Sequence, residues 1–252
     1  MIIGSEDRKR RQIQQLKDLQ IPFPVYFLEA STPENSASYL PVNNDTPKEK
    51  RILCCARSHI RAIEHASRDT SPDLSIILED DAALHKNQFV PLILNFAAHW
   101  DTLVPERAHM VSLGWVPQKT YTEYDDAVCN IQQPDVKILE WFAFGTQAYL
   151  IKKSSAKKFT PILYKDTWLQ VKASVHANRT INIKEDNPIR DADHWLNRYL
   201  LQVLAFPMSV IEQKIPSTLT NNSDGNAWNY SHYFKHHPHS QKEFWSFDTT
   251  NL

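Results

Sequence analysis

Leu74-Ser75-Ile76-Ile77-Leu78-Glu79-Asp80-Asp81-Ala82 sets an aliphatic, β-branched run directly against three consecutive carboxylates. A short apolar run bounded in this way reads as a buried strand of a parallel sheet. Desolvating one unpaired carboxylate is prohibitive. Glu79, Asp80 and Asp81 therefore belong past the strand's carboxyl end, in a crevice open to water or a cation, where open α/β sheets hold ligands. Three adjacent carboxylates repel one another, and hard oxygen donors with no cysteine beside them suit Mg²⁺ or Mn²⁺. In an extended segment Glu79 and Asp81 project to one side and Asp80 to the other. Glu79 and Asp81 are thus candidate metal ligands, while Asp80 reaches a neighbouring hydroxyl or backbone group. The plain alternative is a solvated acidic turn that caps the next helix.

At 252 residues the chain has room for one large α/β domain or two small ones, and it buries a substantial core. An apolar fraction of 42%, a charged fraction of 23% and a net charge of -1 describe an ordinary globular protein and give no argument for nucleic acid. Only four glycines occur, and neither a Walker loop nor a dinucleotide fingerprint is present. A phosphate ligand then needs a metal or basic side chains. Cys54, Cys55 and Cys129 form no metal-ligand spacing and no disulfide framework, which favours a reducing compartment. With no amino-terminal signal peptide and no apolar run near the ~20 residues that span a bilayer, a cytoplasmic location is expected. The sequons at Asn178, Asn221 and Asn229 then read as chance.

Outward from the acidic motif, Met1 to Gly4 reads as a first strand. Ser5 caps a helix with the apolar stripe Ile13, Leu16 and Leu19, and Val25 to Glu29 reads as a second strand, so the chain opens as a βαβ unit. Arg8 to Arg11 reads as a solvated helix face, with contact to a diphosphate or a peripheral contact to an acidic membrane surface as alternatives. A loop over 30–45 leads to a helix from Pro47 to Ser67 that carries Arg57, Ser58, His59 and Arg61. Arg57 and Arg61 lie a turn apart and meet either phosphate or surface carboxylates. An apolar helix is expected around Phe89 to Trp100 and a short strand over His109 to Gly114. The stretch from Trp115 to Pro134 reads as an acceptor or lid loop, with Trp115, and later Trp228, as loop tryptophans that are acceptor candidates. Leu139 to Ile151 reads as a strand pair around Gly145, Ile189 to Leu196 starts a helix with Asp191 and Asp193 in its first turn, and Val203 to Ile211 offers one more strand. His232, His236, His237 and His239 read as a solvated tail, with a metal ligand as the alternative. No repeat or linker appears. A single domain over 1–252 is expected, made of a first half (1–114), a second half (115–214) and a wrapping tail (215–252).

Cys55-Ala56-Arg57-Ser58-His59, then Ile77-Leu78-Glu79-Asp80-Asp81, then Gly145 to Ile151 ahead of a helix, then Asp193-His194-Trp195-Leu196 occur in this order and at suitable spacing. Together they resemble glycosyltransferase family 25, the bacterial lipooligosaccharide and collagen galactosyltransferases. The resemblance runs from about Met1 to Leu204. It implies a GT-A-like doubly wound α/β sheet binding a nucleotide-sugar, with 1–114 as the nucleotide-sugar half, 115–214 as the acceptor half and a long irregular carboxyl-terminal tail. Mn²⁺ or Mg²⁺ at the acidic motif bridges the two phosphates. The implied reaction moves a hexose, galactose or glucose, from a UDP-sugar to a glycan or protein hydroxyl with inversion. It places Asp193 as general base, with Asp191 the near alternative and helix capping the plain reading of both. Gly4, Arg57, Ser58, His59, Asp80 and Asp191 are the expected donor-binding residues, although a structural histidine explains His59 equally well. Two other readings compete: a metal-dependent phosphohydrolase or phosphotransferase, which needs a second acidic or histidine cluster, and a sugar- or nucleotide-binding module without turnover.

Overall fold

Ser5 lies extended, and its hydroxyl accepts from the Arg8 N–H at 3.3 Å, so the helix α1 (Glu6–Asp18) starts where the sequence places its cap. In this computed structural model the described residues are 1–35, 47–116, 137–139, 144–165, 192–206, 208–212 and 243–245. Before α1 runs β1 (Ile2–Ile3), and after it β2 (Leu28–Glu29) pairs with β1 in parallel. The expected βαβ opening is present. Its second strand is shorter than Val25 to Glu29, and Tyr26 is 59% exposed.

The long helix α2 (Pro47–Ala66) begins on a proline, which fits a first helical turn. The decisive stretch forms β3 (Leu74–Leu78), and after its carboxylates comes a strand the sequence did not announce, β4 (Ala82–Leu84). Then follow α3 (Phe89–Leu103), β5 (Met110–Val116), β6 (Lys137–Leu139), β7 (Phe144–Lys152), α4 (Lys153–Lys165), α5 (Ala192–Tyr199), β8 (Gln202–Phe206) and β9 (Val210–Glu212). The stretch expected as one strand from Val203 to Ile211 is therefore two.

Five strands make the main sheet in the order β3-β7-β5-β8-β6, and β4 pairs with β9 in a separate ribbon. Along the strands, side chains alternate between two cores. Ile77, Met110, Tyr149 and Ile151 pack with Ile60, Ile63, Phe159, Leu196 and Leu200 from α2, α4 and the α5 region. Leu78, Val111, Leu113, Leu150 and Val203 pack on the other face with Phe89, Phe96 and Trp100 of α3. Each of these large side chains contributes roughly 1.5–3 kcal/mol by leaving water.

Helices thus cover both faces, but the strand directions correct the parallel reading. β3 runs antiparallel to β7, and within the main sheet only β5 and β8 pair in parallel among the described strands. A strand buried on both faces is an unbroken apolar run whichever way its neighbour points, so the pattern of Leu74 to Leu78 could not carry direction. The strand pair expected around Gly145 over Leu139 to Ile151 is not formed among the described residues: Gly145 lies inside the single strand β7, between β3 and β5, while β6 ends at Leu139 and pairs with β8.

Trp115 is a second correction. It is not in an acceptor loop but inside β5, where it is fully buried. Val111, Leu113 and Trp115 continue one alternation through Gly114, whose lack of a side chain admits the backbone of β9; a Cβ there would sit 2.6 Å from the Val210 carbonyl oxygen. Asp191, Trp228 and the four tail histidines lie outside the described residues.

Candidate active site at the acidic end of β3

The acidic motif is held from below by polar side chains of α1. Gln12 Nε2 donates to the Asp80 and Ala82 carbonyls, both at 3.0 Å, and Gln15 accepts from the Leu84 N–H at 2.9 Å. Both glutamines are fully buried, so α1 presents a polar edge inward beside its apolar stripe. Satisfying backbone groups in this way lets the chain leave β3 without burying unpaired polar atoms.

Each carboxylate then meets a different environment. Asp80 is buried and accepts from the Gly4 N–H and from Arg8 Nη1, each at 2.5 Å. Gly4 eases that approach, because a Cβ would stand 3.2 Å from Asp80 Oδ2, a tight contact. Glu79 turns toward α2 and β7: Oε1 accepts from the Thr146 hydroxyl and faces His59 Nε2 at 3.3 Å. Burial alone would raise the Glu79 pKa, but the His59 ring and the Thr146 hydroxyl more than offset it and hold the carboxyl below its usual value. Behind it, His59 Nδ1 lies 3.1 Å from the Tyr149 hydroxyl, whose own pKa is pushed well up by burial and then by Glu79.

Asp81 is the uncomfortable member. Its Oδ1 is buried with no hydrogen-bond partner, and its nearest cation, Arg8 Nη1, stands 3.8 Å from Oδ2. Burial first, and then Glu79, Glu212 and Asp80, push its pKa well above the ordinary carboxylate range against the pull of Arg8.

These residues floor a crevice of about 460 Å³ whose walls include Ser31 to Glu34, Lys50, Arg51, Cys54, Cys55, Ser58 and His59. Ser58 does structural work there. Its oxygen accepts from the Ser31 N–H at 2.8 Å and donates to the Cys54 carbonyl at 2.9 Å, fixing the loop after β2 against α2. Arg57 is half-buried on α2 and does not line the crevice, while Arg61 donates to the Glu29 carbonyl at 3.2 Å. A second cavity, of about 310 Å³, lies along β3 among Leu16, Phe23, Ile76 and Ile93 and carries no carboxylate. It offers far fewer polar groups with which to orient a substrate.

Asp193 sits in the first turn of α5, where a helix amino terminus favours a negative charge. Its Oδ2 accepts from the Gly145 N–H at 3.1 Å. Gly145 has φ 99°, a conformation suited to glycine, and the next residue, Thr146, holds Glu79. Two successive residues of β7 therefore bring Asp193 beside the acidic motif across more than a hundred residues of sequence.

Sequence reasoning assigned no role to Thr146 or Tyr149, and it gave Arg8 a ligand contact only as the alternative. Arg8 was expected on a solvated face, yet only 11% of its side chain is exposed. Lys9 and Arg10 pair instead with Glu6 and Asp7 of their own helix, so the basic run is no continuous patch. The sequence carried no signal that singles out Arg8, because α1 is polar on most of its faces and Asp7, Arg11 and Gln14 repeat the spacing of Arg8, Gln12 and Gln15.

His59 ties this arrangement to stability. Removing it in His59→Ala strips the buried Tyr149 hydroxyl of its partner and leaves the partly buried Glu79 carboxylate with the Thr146 hydroxyl. The expected loss is about 3 kcal/mol, read from the urea midpoint. A loss under about 0.5 kcal/mol would show that the ring carries no such load.

A mixed sheet with helices on both faces, and a carboxylate cluster opening into a crevice at a strand end, define an α/β protein that handles its ligand at that end of the sheet. The chain belongs to glycosyltransferase family 25 (LPS biosynthesis protein), which it matches over residues 3–174, and it is accordingly a glycosyltransferase acting between a sugar donor and an acceptor. A comparison with curated proteins found no match. No helix among the described residues is long and apolar enough to cross a membrane.

Proposed function

We propose that the chain moves a hexose, galactose or glucose, from a UDP-sugar to a hydroxyl of a glycan or glycoprotein, with inversion, in a GT-A-like arrangement and with Mn²⁺ or Mg²⁺ at the acidic motif. One observation carries this reading: a buried, partnerless carboxylate oxygen on Asp81 beside Glu79, at the floor of a crevice large enough for a nucleotide. Asp81 and Glu79 would hold the cation, Glu79 through the oxygen that His59 and Thr146 leave aside. Among the described residues no three His, Cys, Asp or Glu side chains enclose an ion. The two carboxylates would therefore supply only part of a coordination shell, and Mg²⁺ and Mn²⁺ commonly complete theirs with waters and substrate phosphates. Held there, such an ion would supply charge neutralisation for the departing diphosphate.

The remaining roles fall to the chain's own groups. Gly4 fixes Asp80, and His59 with Thr146 keeps Glu79 ionised and aimed. Asp193 takes the proton from the acceptor hydroxyl as its oxygen attacks the anomeric carbon and the bond to the diphosphate breaks. Released UDP carries away the bonding pair. A two-metal hydrolase would need a second cluster at another strand end, and Asp193 alone does not supply one.

Release of UDP is the direct assay. The reading expects it from UDP-galactose or UDP-glucose with Mn²⁺ and a glycan acceptor, and expects EDTA to stop it. Turnover that is indifferent to EDTA would remove the metal from the account.

A further inference from the structure

Resting on the reading that the acidic motif receives a divalent cation, we propose that Arg8 is the motif's internal counter-ion: it competes with that cation for Asp80 and Asp81, and once displaced it holds the donor's diphosphate. The geometry is specific. Arg8 Nη1 lies 2.5 Å from Asp80 Oδ1 and 3.8 Å from Asp81 Oδ2, and its side chain also lines the crevice. Its placement is not an accident of a long side chain. The helix that carries it is bolted to the motif through Gln12 and Gln15, so the guanidinium stands over the carboxylates wherever α1 goes.

Charge sets the competition. A guanidinium cannot give up its proton, and here burial, which lowers its pKa, is outweighed by Asp80 and then Asp81, so the pKa is raised further. It therefore remains a permanent positive charge where a divalent ion would approach, and the two repel. When the ion takes Asp81, Asp80 keeps the Gly4 N–H as a partner, and Arg8 is released to face the crevice. A planar fork of donors beside two phosphates makes bidentate contacts that a solvated lysine does not. In the ion-free protein Arg8 thus keeps the acidic cluster from flying apart, and in the loaded protein the same group grips the substrate.

The test separates this from a merely structural role because it predicts changes of opposite sign. Mn²⁺ binding, followed by loss of the free-ion electron paramagnetic resonance signal, should strengthen at least tenfold in Arg8→Gln. UDP binding at saturating Mn²⁺, followed by calorimetry, should weaken at least tenfold in the same variant. Arg8→Lys, which keeps one charge but loses the fork, should bind Mn²⁺ about as the wild type does while still binding UDP more weakly. If Arg8→Gln does not fold, Arg8→Met, which also removes the charge, is read in its place with the same two opposite changes expected and the same overturning result. Equal Mn²⁺ affinity in wild type and Arg8→Gln overturns the competition while leaving the metal reading standing. No Mn²⁺ binding in either protein overturns both.

Discussion

Asp81→Asn should abolish metal-dependent donor binding and at the same time raise the melting temperature of the metal-free protein. Both effects come from one atom. Asp81 Oδ1 is buried without a hydrogen-bond partner, and Glu79, Asp80 and Glu212 add like charge around it. A buried polar group left unsatisfied costs about 1–3 kcal/mol, and removing the charge returns part of that. In a chain of this size a gain of about 1 kcal/mol appears as roughly 2–4 °C. The asparagine, however, offers a cation no anionic oxygen, so affinity for Mn²⁺ and for a UDP-sugar in its presence should fall at least a hundredfold. Functional sites commonly hold such locally unfavourable groups, and the opposed signs are the signature. A variant that lost stability instead would mean that Asp81 is a structural capping residue.

The second large effect belongs to Asp193→Asn. Asparagine keeps an oxygen to accept from the Gly145 N–H, so the start of α5 and the neighbouring Thr146–Glu79 contact should survive. What is lost is a group able to take a proton from the acceptor. General-base removal typically costs about 10²–10⁴ in rate. Transfer should fall by that range, while UDP-sugar affinity stays within about twofold. A near-normal rate would move the base elsewhere, with Asp191 the first alternative.

How far the sequence could be read depends on which residues meet locally. Leu74 to Leu78 announced a strand and Ser5 a helix start, because apolar runs and caps are short-range signals. The direction of β3 was invisible, since a short apolar run reads the same whichever way the neighbouring strand points. Trp115 misled because Gly114 looks like a strand's end, whereas it is the point where β9 presses in. The acidic motif was legible as three charges after a strand, but their differing fates were not: Asp80 is settled by Gly4 and Arg8, Glu79 by His59 and Thr146, and Asp81 by nothing on its Oδ1. Those partners come from β1, α1, α2 and β7, and only folding brings them together. Arg8 is the clearest case, a basic residue in a basic run that the turn of one helix sends inward.

The most direct test of the central claim is calorimetric titration of UDP-galactose and UDP-glucose into the wild-type protein with Mn²⁺, repeated with EDTA. The account predicts saturable one-site binding of one of these donors that disappears when the metal is removed. Binding that is unchanged in EDTA, or no binding of either donor with Mn²⁺ present, would contradict it.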